Sequence, residues 1–382
     1  MIIGIDASNI RKGGGLMHLV QLIRAIKPDI NQIDKVYLWS TKDTLELIEN
    51  KPWLIKVNDI WLNNNAVCRL LWRYLKLYKN ANQVNCDVVY SPGGSTVKKN
   101  LPVIVMSQNL LPFEWSELKR FGFSFTTLKM MLLRFIQSRS FKNADGVIFL
   151  TNYAMKAVEN VVGNIAAQKI IIPHGIAETF YIVPRDQKSI DEYSKSNPFK
   201  FIYVSSIAPY KNQCNVAKAV AKIRFMEIPI TLDFYGPYFK SELKKLMELL
   251  NKLNRRFEYI RYKGEISNRD MPEIYKTYDA SIFASSCENL PIILLESMAS
   301  GLPIACSNKG PMPEVLGDGG FYFDPYRVDS ISSALLDLVK SKEKRADKTA
   351  TSFSRAKQFN WSKCADQTVK LMLNIVNYSK RG

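Results

Sequence analysis

The chain has 382 residues, of which 47% are hydrophobic and 23% charged. This composition is typical of folded globular proteins and excludes a disordered chain, and the length favours two domains over one. The 53 Lys and Arg residues outnumber the 35 Asp and Glu residues and give a net charge of +18. Such a charge indicates an anionic partner, which could be nucleic acid, an acidic membrane surface or a phosphorylated substrate.

Short, β-branched runs bounded by turn residues alternate with stretches long enough for helices. In chain order they predict strands at residues 2–5, 35–39, 87–90, 103–106 and 146–150, and then at 199–204, 230–235, 257–262, 280–284 and 303–306. Helical periodicity follows at residues 330–340 and 361–378. This alternation predicts parallel sheets with helices on both faces.

The two series of strands predict an α/β protein with two Rossmann-like, doubly wound domains. We place the N-terminal domain at residues 1–177, a polar, irregular linker at 178–198, the C-terminal domain at 199–360 and a C-terminal helix at 361–382. Sheets of this kind bind ligands beyond the carboxyl ends of their strands. We therefore expect the chemistry in the loops that follow strands, in a cleft between the two domains.

Membrane contact, if present, is expected to be peripheral. The first residues form a strand without the plan of a signal peptide, and no apolar run reaches the ~20 residues of a spanning helix. The six cysteines lack the short spacings of zinc or redox motifs, which favours reduced thiols in a cytoplasmic protein. Residues 65–80 and 118–142 mix basic and bulky apolar side chains, which suits an anionic membrane surface. Amphipathic helices with solvated Lys and Arg are the alternative.

Three glycines, Gly13, Gly14 and Gly15, follow the first strand and precede a helical pattern. Glycines in a strand-to-helix loop expose backbone N–H groups that can hold a phosphate at a helix N-terminus. The segment matches neither a dinucleotide fingerprint nor a P-loop. A flexible turn is the alternative reading.

Two acidic residues follow the strand predicted at 280–284. Glu288 falls in the loop after this strand, and Glu296 falls inside the next helix. Carboxylates at these places can accept charge-assisted hydrogen bonds from sugar or ribose hydroxyls. The alternative is a loop acid beside an acid that the helix dipole favours.

Residues 281–325 resemble the signature of retaining glycosyltransferase family 4, a family with the GT-B fold. Glu288 and Glu296 match its two acids, and the run Glu296-Ser-Met-Ala-Ser-Gly-Leu-Pro matches its helix. The block from Gly310 to Pro325 is similar to the next family block. The resemblance covers nearly the whole chain and is strongest over residues 199–325. It also implies that the C-terminal helix returns to the N-terminal domain.

The resemblance implies a nucleotide-sugar site in the C-terminal domain. Lys211 matches a lysine that grips the donor pyrophosphate, whereas Ser206 occupies the position of a partner arginine. Either another Lys or Arg replaces this arginine, or catalysis is weaker. Glu288 would hold hydroxyls of the donor sugar and Glu296 the ribose. The donor-binding residues implied are Glu296, Gly14, Gly15, Ser206, Gly236, Asn289, Leu290, Pro291 and Gly264.

The resemblance also implies an acceptor side in the N-terminal domain, with Asn109 and Gly13. Gln108 stands where many members carry histidine. Since an amide cannot move a proton at neutral pH, we expect Gln108 to hydrogen-bond the sugar or acceptor. Gln108 joins Glu288 and Lys211 as the predicted catalytic residues. His174 is interpreted as structural.

The implied function is retaining transfer of a hexose from a nucleotide-diphosphate sugar, with GDP-mannose ahead of UDP- and dTDP-sugars. The implied acceptor is a glycan or lipid-linked glycan in bacterial surface-polysaccharide (O-antigen-like) biosynthesis, on the inner face of the plasma membrane. No metal or cofactor is expected. A catalytically silent GT-B protein that binds nucleotide sugar or glycan is the alternative, motivated by Ser206 and Gln108. Nucleic acid is not an expected partner, because no motif for it is present.

Overall fold

The computed structural model describes residues 1–11, 13–97, 100–254 and 258–380. The strands are β1 (Ile2–Asp6), β2 (Lys35–Trp39), β3 (Leu54–Val57), β4 (Val88–Ser91), β5 (Val103–Met106), β6 (Gly146–Phe149), β7 (Gln168–Ile171), β8 (Phe199–Val204), β9 (Ile230–Tyr235), β10 (Ile260–Tyr262), β11 (Ala280–Phe283), β12 (Ile304–Ser307) and β13 (Gly320–Phe323).

The α-helices are α1 (Gly13–Ala25), α2 (Pro28–Asn31), α3 (Lys42–Glu46), α4 (Ile60–Asn63), α5 (Ala66–Trp72), α6 (Tyr78–Gln83), α7 (Trp115–Leu118), α8 (Phe125–Asn143), α9 (Asn152–Val162), α10 (Gln213–Phe225), α11 (Lys240–Leu253), α12 (Met271–Tyr275), α13 (Ile292–Ala299), α14 (Met312–Leu316), α15 (Val328–Lys340), α16 (Lys342–Ala356) and α17 (Trp361–Ser379). A π-helical segment, Arg73–Leu77, joins α5 to α6.

The chain divides into two compact units. The first comprises Met1–Glu114, Phe123–Gly175 and Asn360–Gly382, and the second comprises Trp115–Gly122 and Ile176–Phe359. The short segment Trp115–Gly122 therefore belongs to the second unit, although the chain on either side of it belongs to the first. Nothing in the local sequence pattern predicts this exchange.

The first unit contains a seven-stranded parallel sheet in the order β3-β2-β1-β4-β5-β6-β7. The chain begins at β1, moves outward to β3 and returns to β4, so the order reverses between β1 and β4. Every residue of β4, β5 and β6 is buried, as expected for apolar strands covered on both faces.

The second unit contains a six-stranded parallel sheet in the order β10-β9-β8-β11-β12-β13, which reverses between β8 and β11. Ligands of such sheets bind at the point of reversal, outside the carboxyl ends of the strands. The two doubly wound sheets confirm the predicted fold class.

The structure corrects several predicted elements. Strands β3, β7 and β13 and helix α16 are present but were not predicted. Strands β2, β5, β8 and β9 have the predicted bounds, and β1, β4, β6, β11 and β12 differ by one residue at one or both ends. β12 begins at Ile304 because Pro303 has no N–H to donate to a neighbouring strand. Phe257, the predicted start of a strand, lies outside the described residues, and β10 begins at Ile260.

The C-terminal helix α17 belongs to the first unit and packs against α1, which confirms its predicted return. It begins at Trp361, whose ring lies 5.5 Å from that of His174, and the rings of His174 and His18 stack at 4.5 Å. A Cβ atom at Gly175 would lie 2.3 Å from the Trp361 nitrogen, so this contact requires glycine. Burial lowers the pKa of His18 to about 3 and that of His174 well below its ordinary value.

The six cysteines, all within the described ranges, form no disulfide. No helix in the part of the chain that the structure describes is long and apolar enough to cross a membrane.

Candidate functional site

Two loops meet at the point where the second sheet reverses. We call residues 205–212 the β8 loop and residues 284–291 the β11 loop, after the strands that they follow. Asn212 joins them, because its side-chain N–H groups donate to the carbonyl oxygens of Tyr210 and Ala284 at 3.1 and 2.8 Å. The backbone N–H of Ser286 also donates to the Tyr210 carbonyl at 2.9 Å. The two loops thus form one hydrogen-bonded framework.

Lys211 of the β8 loop donates from its ammonium group to the carboxylate of Glu288 in the β11 loop. The Lys211 ammonium also lies 5.2 Å from the centre of the Tyr210 ring and 5.4 Å from that of Phe283. The Lys211 side chain is 7% exposed and that of Glu288 is 17% exposed. Two of the three residues predicted as catalytic, Lys211 and Glu288, are therefore brought together in a largely desolvated ion pair.

The pKa of Lys211 is raised above its ordinary value. Burial alone would lower the pKa, but the negative charge of Glu288 and the neighbouring Tyr210 and Tyr203 hydroxyls outweigh burial. Lys211 is thus a fixed positive charge at the carboxyl end of the parallel sheet. Such a charge can stabilise an anion that binds, or forms, beside these loops.

Glu296 lies in the second turn of α13 and is 7% exposed. Burial raises its pKa from 4.5 to about 7, and a hydrogen bond of 3.0 Å from the Asn268 amide opposes this rise. Asn268, in the loop after β10, was not singled out from the sequence. A buried carboxylate that accepts a hydrogen bond from one amide has further lone pairs, which can accept hydrogen bonds from hydroxyl groups.

The remaining predicted residues of the β11 loop lead directly into α13. Asn289 and Leu290 are buried, each 6% exposed, and Pro291 occupies the position that precedes the first helical residue. Proline suits this end of a helix because the first N–H groups have no partner within the helix. These three residues connect Glu288 to α13.

Gly236, after β9, sits against the β8 loop. It has a φ of +132°, and a Cβ atom there would lie 2.2 Å from the carbonyl oxygen of Ser205. Its N–H donates to the carbonyl oxygen of Gly264, after β10, at 2.8 Å. Gly236 and Gly264 therefore belong to one layer of loops with the β8 loop.

Ser206 is half-buried, and its carbonyl oxygen accepts a hydrogen bond of 2.8 Å from the side chain of Gln213, the first residue of α10. A basic residue from elsewhere in the chain, Arg120, bonds the β8 loop: its guanidinium donates to Asn212 Oδ1 at 2.8 Å. Sequence reasoning did not find Arg120, because it lies far from this loop along the chain.

The sequence pattern places Gly13, Gly14 and Gly15 in a loop of the first unit. In the structure they instead form the first turn of α1. The first turn of a helix still presents N–H groups without intrahelical partners, which accounts for the similarity to an anion-binding loop. A Cβ atom at Gly15 would lie 2.6 Å from Gln108 Oε1. The structure thus brings Gly15 and Gln108 together.

Asn109 has a local role in the first unit. Its Oδ1 accepts from the N–H of Leu111 at 3.1 Å, and its Nδ2 contacts the sulfur of Met130 at 3.7 Å. This side-chain turn begins the short 3-10 helix Leu111–Phe113.

A buried ion pair that sequence reasoning missed lies where the first sheet reverses. The guanidinium of Arg73, in the π-helical segment, donates to Asp6 at the end of β1 at 2.6 Å and to Ser8 Oγ at 2.8 Å. Asp6 is fully buried and Arg73 is 5% exposed. The pair fastens the π-helical segment to the loop after β1.

Among the described residues, no group of three or more His, Cys, Asp or Glu side chains is placed to hold a metal ion. The β8 and β11 loops themselves supply the Lys211 ammonium, the Glu288 carboxylate, amide groups and backbone N–H groups, and the adjoining α13 supplies the Glu296 carboxylate.

The fold and this site define a class: the chain is a two-domain GT-B protein that resembles bacterial polysaccharide glycosyltransferases. Residues 185–353 match the family model described as glycosyl transferases group 1. This match includes the β8 and β11 loops and α13.

Individual relatives extend the likeness. The chain is 29% identical over 226 residues to O-antigen chain mannosyltransferase B of Escherichia coli, covering 58% of this chain and 56% of that protein. It is 25% identical over 218 residues to a GDP-mannose-dependent alpha-(1-6)-phosphatidylinositol monomannoside mannosyltransferase of Mycolicibacterium smegmatis, covering 53% and 55% of the two chains. The chain thus spans about half the length of these curated relatives.

A solved structure shares the fold along the full length. Sucrose-phosphate synthase from Thermosynechococcus elongatus superimposes with a TM-score of 0.77, covering 99% of both chains at 16% identity. At this identity the likeness concerns the fold.

Proposed function

We propose that the chain is a retaining hexosyltransferase that uses a nucleotide-diphosphate sugar. The observation that carries the proposal is the Lys211–Glu288 pair at the reversal of the second sheet, with buried Glu296 in the adjoining helix. In this proposal residues 199–360 form the donor domain, residues 1–177 the acceptor domain, 178–198 the linker, and 361–382 the C-terminal helix.

Each group has a defined task in the proposed reaction. As the bond between the anomeric carbon and the diphosphate breaks, negative charge grows on the departing nucleoside diphosphate. Lys211 and backbone N–H groups of the loops would stabilise that charge. Glu288 would accept hydrogen bonds from hydroxyls of the donor sugar, and Glu296 from those of the ribose. Gln108, an amide, would orient the sugar or acceptor without transferring a proton.

GDP-mannose is the proposed donor, ahead of UDP- and dTDP-sugars. The names of two relatives, an O-antigen mannosyltransferase and a GDP-mannose-dependent mannosyltransferase, support mannose and GDP. The same names support a glycan or lipid-linked glycan as acceptor, in surface-polysaccharide biosynthesis. The proposed location is the cytoplasmic side of the membrane that carries such acceptors.

A thermal-shift screen against GDP, UDP, dTDP and their sugar conjugates tests the donor site, since a ligand of the folded state raises the melting temperature. We expect a shift with guanine nucleotides that Glu296→Ala abolishes. Release of nucleoside diphosphate on addition of acceptor then tests transfer, and NMR of the product tests retention. Binding without nucleotide release would favour the silent-binder alternative, and no binding of any nucleotide would contradict the proposal.

An anionic bilayer is the proposed partner of the first unit. Apolar side chains that are 37% to 82% exposed line one face of α5 and the π-helical segment and one face of α8; we call them the apolar surface. They are Val67, Leu70, Leu71, Tyr74 and Leu75, and Phe125, Leu128, Met131, Leu132 and Phe135. Tyr74 and Phe135 line the same cavity of about 380 Å³, so the two faces adjoin.

Charge supports a bilayer as the occupant of the apolar surface. Residues 66–83 and 125–143 each carry four Lys or Arg residues and no Asp or Glu. Exposed apolar residues flanked by basic ones are typical of helices that lie in the interface of anionic membranes. Contiguous exposed apolar surface is unusual on a soluble protein without a partner.

Co-sedimentation at low salt tests this partner. We expect the protein to bind phosphatidylglycerol vesicles and not phosphatidylcholine vesicles, and Leu128→Ser/Leu132→Ser to weaken binding. Phe225→Ser is the matched control, because Phe225 is 91% exposed but lies in the second unit. Failure to bind anionic vesicles, with light scattering that reports a dimer which the double variant dissociates, would assign the apolar surface to a second copy of the chain.

A further inference from the structure

The segment Trp115–Gly122 leaves the first unit and packs on the second. It consists of the single-turn helix α7 and a 3-10 turn, Lys119–Phe121. Such short elements have little internal hydrogen bonding to stabilise them. Their position therefore depends on what their side chains contact.

Glu117, in this segment, is a buried carboxylate. It is 3% exposed and accepts hydrogen bonds from Ser286 Oγ at 2.8 Å, from Arg120 at 3.0 Å and from the hydroxyl of Tyr326. Ser286 lies in the β11 loop, two residues before Glu288. Glu117 therefore fixes the loop that carries one half of the Lys211–Glu288 pair.

Arg120 reaches both loops at once. Its guanidinium donates to Ser286 Oγ at 3.2 Å and to Asn212 Oδ1 at 2.8 Å, and lies 5.5 Å from the centre of the Tyr326 ring. Asn212 directly follows Lys211 and precedes α10. It is 5% exposed and has a left-handed backbone, with φ of +55°. The planar guanidinium thus holds a strained residue beside Lys211 and a serine near Glu288.

Burying the Glu117 carboxylate in so short a segment is expensive in free energy unless it finds partners, whereas the Arg120 side chain is 31% exposed and keeps part of its surface in solvent. Here the partners are the side chains that connect the β8 and β11 loops. Phe121 adds ring contacts to Tyr210 and Phe239 at 6.2 and 5.7 Å. The two charges therefore act on the geometry of the loops as well as on the docking of the segment.

We infer that Glu117 and Arg120 are positioning residues of the nucleotide-sugar site: they hold the β8 and β11 loops at the spacing at which Lys211 and Glu288 meet. This inference rests on the proposed function. It assigns to a segment from the N-terminal half of the chain a part in binding the donor diphosphate. Neither residue needs to touch the donor.

Arg120→Lys is the first test, since lysine keeps the charge but cannot form the planar fork to Asn212 and Ser286 together. The readouts are the Kd of GDP and UDP by titration calorimetry and the melting temperature. We expect the Kd of whichever nucleotide binds the native protein to rise about tenfold, the loss typical of one hydrogen bond to a charged group. Ser286→Ala, which removes no charge, should raise the Kd in the same direction.

Arg355→Lys is the matched control. Arg355 also lies in the second unit and donates two hydrogen bonds, but to the carbonyl oxygens of Val315 and Glu314. We expect this change to lower the melting temperature at least as much as Arg120→Lys and to leave the nucleotide Kd unchanged. Equal effects of the two changes on Kd would overturn the inference, because they would reflect general loss of stability.

A double variant separates positioning from an independent role. In a Lys211→Met background, Arg120→Lys should have little further effect on nucleotide Kd, because both changes act on the same interaction and are not additive. Additive effects would overturn the inference. If the native protein binds no nucleotide, the proposed function fails and the inference with it. If the native protein binds and Arg120→Lys and Ser286→Ala bind equally well, only the inference fails.

Discussion

Lys211 and Glu288 come from loops 77 residues apart in sequence, yet the ammonium of one donates to the carboxylate of the other. Breaking a largely buried pair by removing one partner leaves the other charge uncompensated. We expect Lys211→Met to lower the free energy of unfolding by about 3 kcal/mol, measured by urea denaturation. The double change Lys211→Met/Glu288→Gln should recover most of this loss. A double variant whose loss equals the sum of both single losses would show that the two groups do not interact.

Glu296 should give the second unit a characteristic dependence on pH. The pKa of the Glu296 carboxyl group is about 7 in the folded chain and about 4.5 in the unfolded chain. The folded state therefore keeps the carboxyl proton to higher pH than the unfolded state does. The stability that this proton contributes is complete below pH 4.5, declines as pH rises, and is lost above pH 7. The expected loss is about 3 kcal/mol.

Glu296→Gln removes this titration and keeps a group that can accept from Asn268. The stability of the variant relative to the native protein should therefore increase as pH rises from 4.5 to 8. Urea denaturation at several pH values measures the difference. A difference that stays constant over this range would contradict the raised pKa.

Gly236 and Gly264 provide a matched pair of substitutions. Both have positive φ, but a Cβ at Gly236 meets the Ser205 carbonyl at 2.2 Å, whereas nothing lies within 4 Å of one at Gly264. Gly264→Ala should cost only backbone strain, about 1 kcal/mol. Gly236→Ala adds a steric clash and should cost roughly 3 kcal/mol. Equal losses in denaturation would mean that the β8 loop moves aside freely.

The two histidines offer a direct spectroscopic test, because the chain has no others. Burial lowers the pKa of both His18 and His174, to about 3 for His18. Their ring-proton NMR signals should therefore not titrate between pH 5 and 8. A midpoint near 6.5 for either ring would show that the stack with Trp361 opens in solution.

Strands in the interior of a sheet were easier to predict from the sequence than strands at its edges. Strands in the interior, such as β5 and β6, are buried on both faces and appear as continuous apolar runs. The missed strands β3, β7 and β13 lie at sheet edges, and β7 is nowhere fully buried. An edge strand has one bonded neighbour and tolerates polar residues, such as Lys56 in β3 and Gln168 in β7, so the apolar pattern of these two strands is weaker. β13 is apolar and mostly buried, and this reason does not apply to it.

The site was predictable only in part, for a related reason. Glu288, Glu296 and Lys211 lie within contiguous motifs, so local pattern sufficed to find them. The site also includes Glu117, Arg120 and Asn268, which come from distant places in the chain. The spacing of residues along the sequence does not predict contacts of this kind. The resemblance suggested that another basic residue could stand in for an arginine at Ser206. The folded chain brings Arg120 to the β8 loop, bonded to Asn212.

The location of α17 has a consequence for synthesis of the chain. Eight of its residues are buried in the first unit, against elements translated more than 200 residues earlier. During translation the first sheet therefore lacks part of its apolar covering until α17 has left the ribosome. The second unit, continuous apart from Trp115–Gly122, has all its strands and helices available sooner. Of the two units, the one whose translation begins first is thus the one that is completed second.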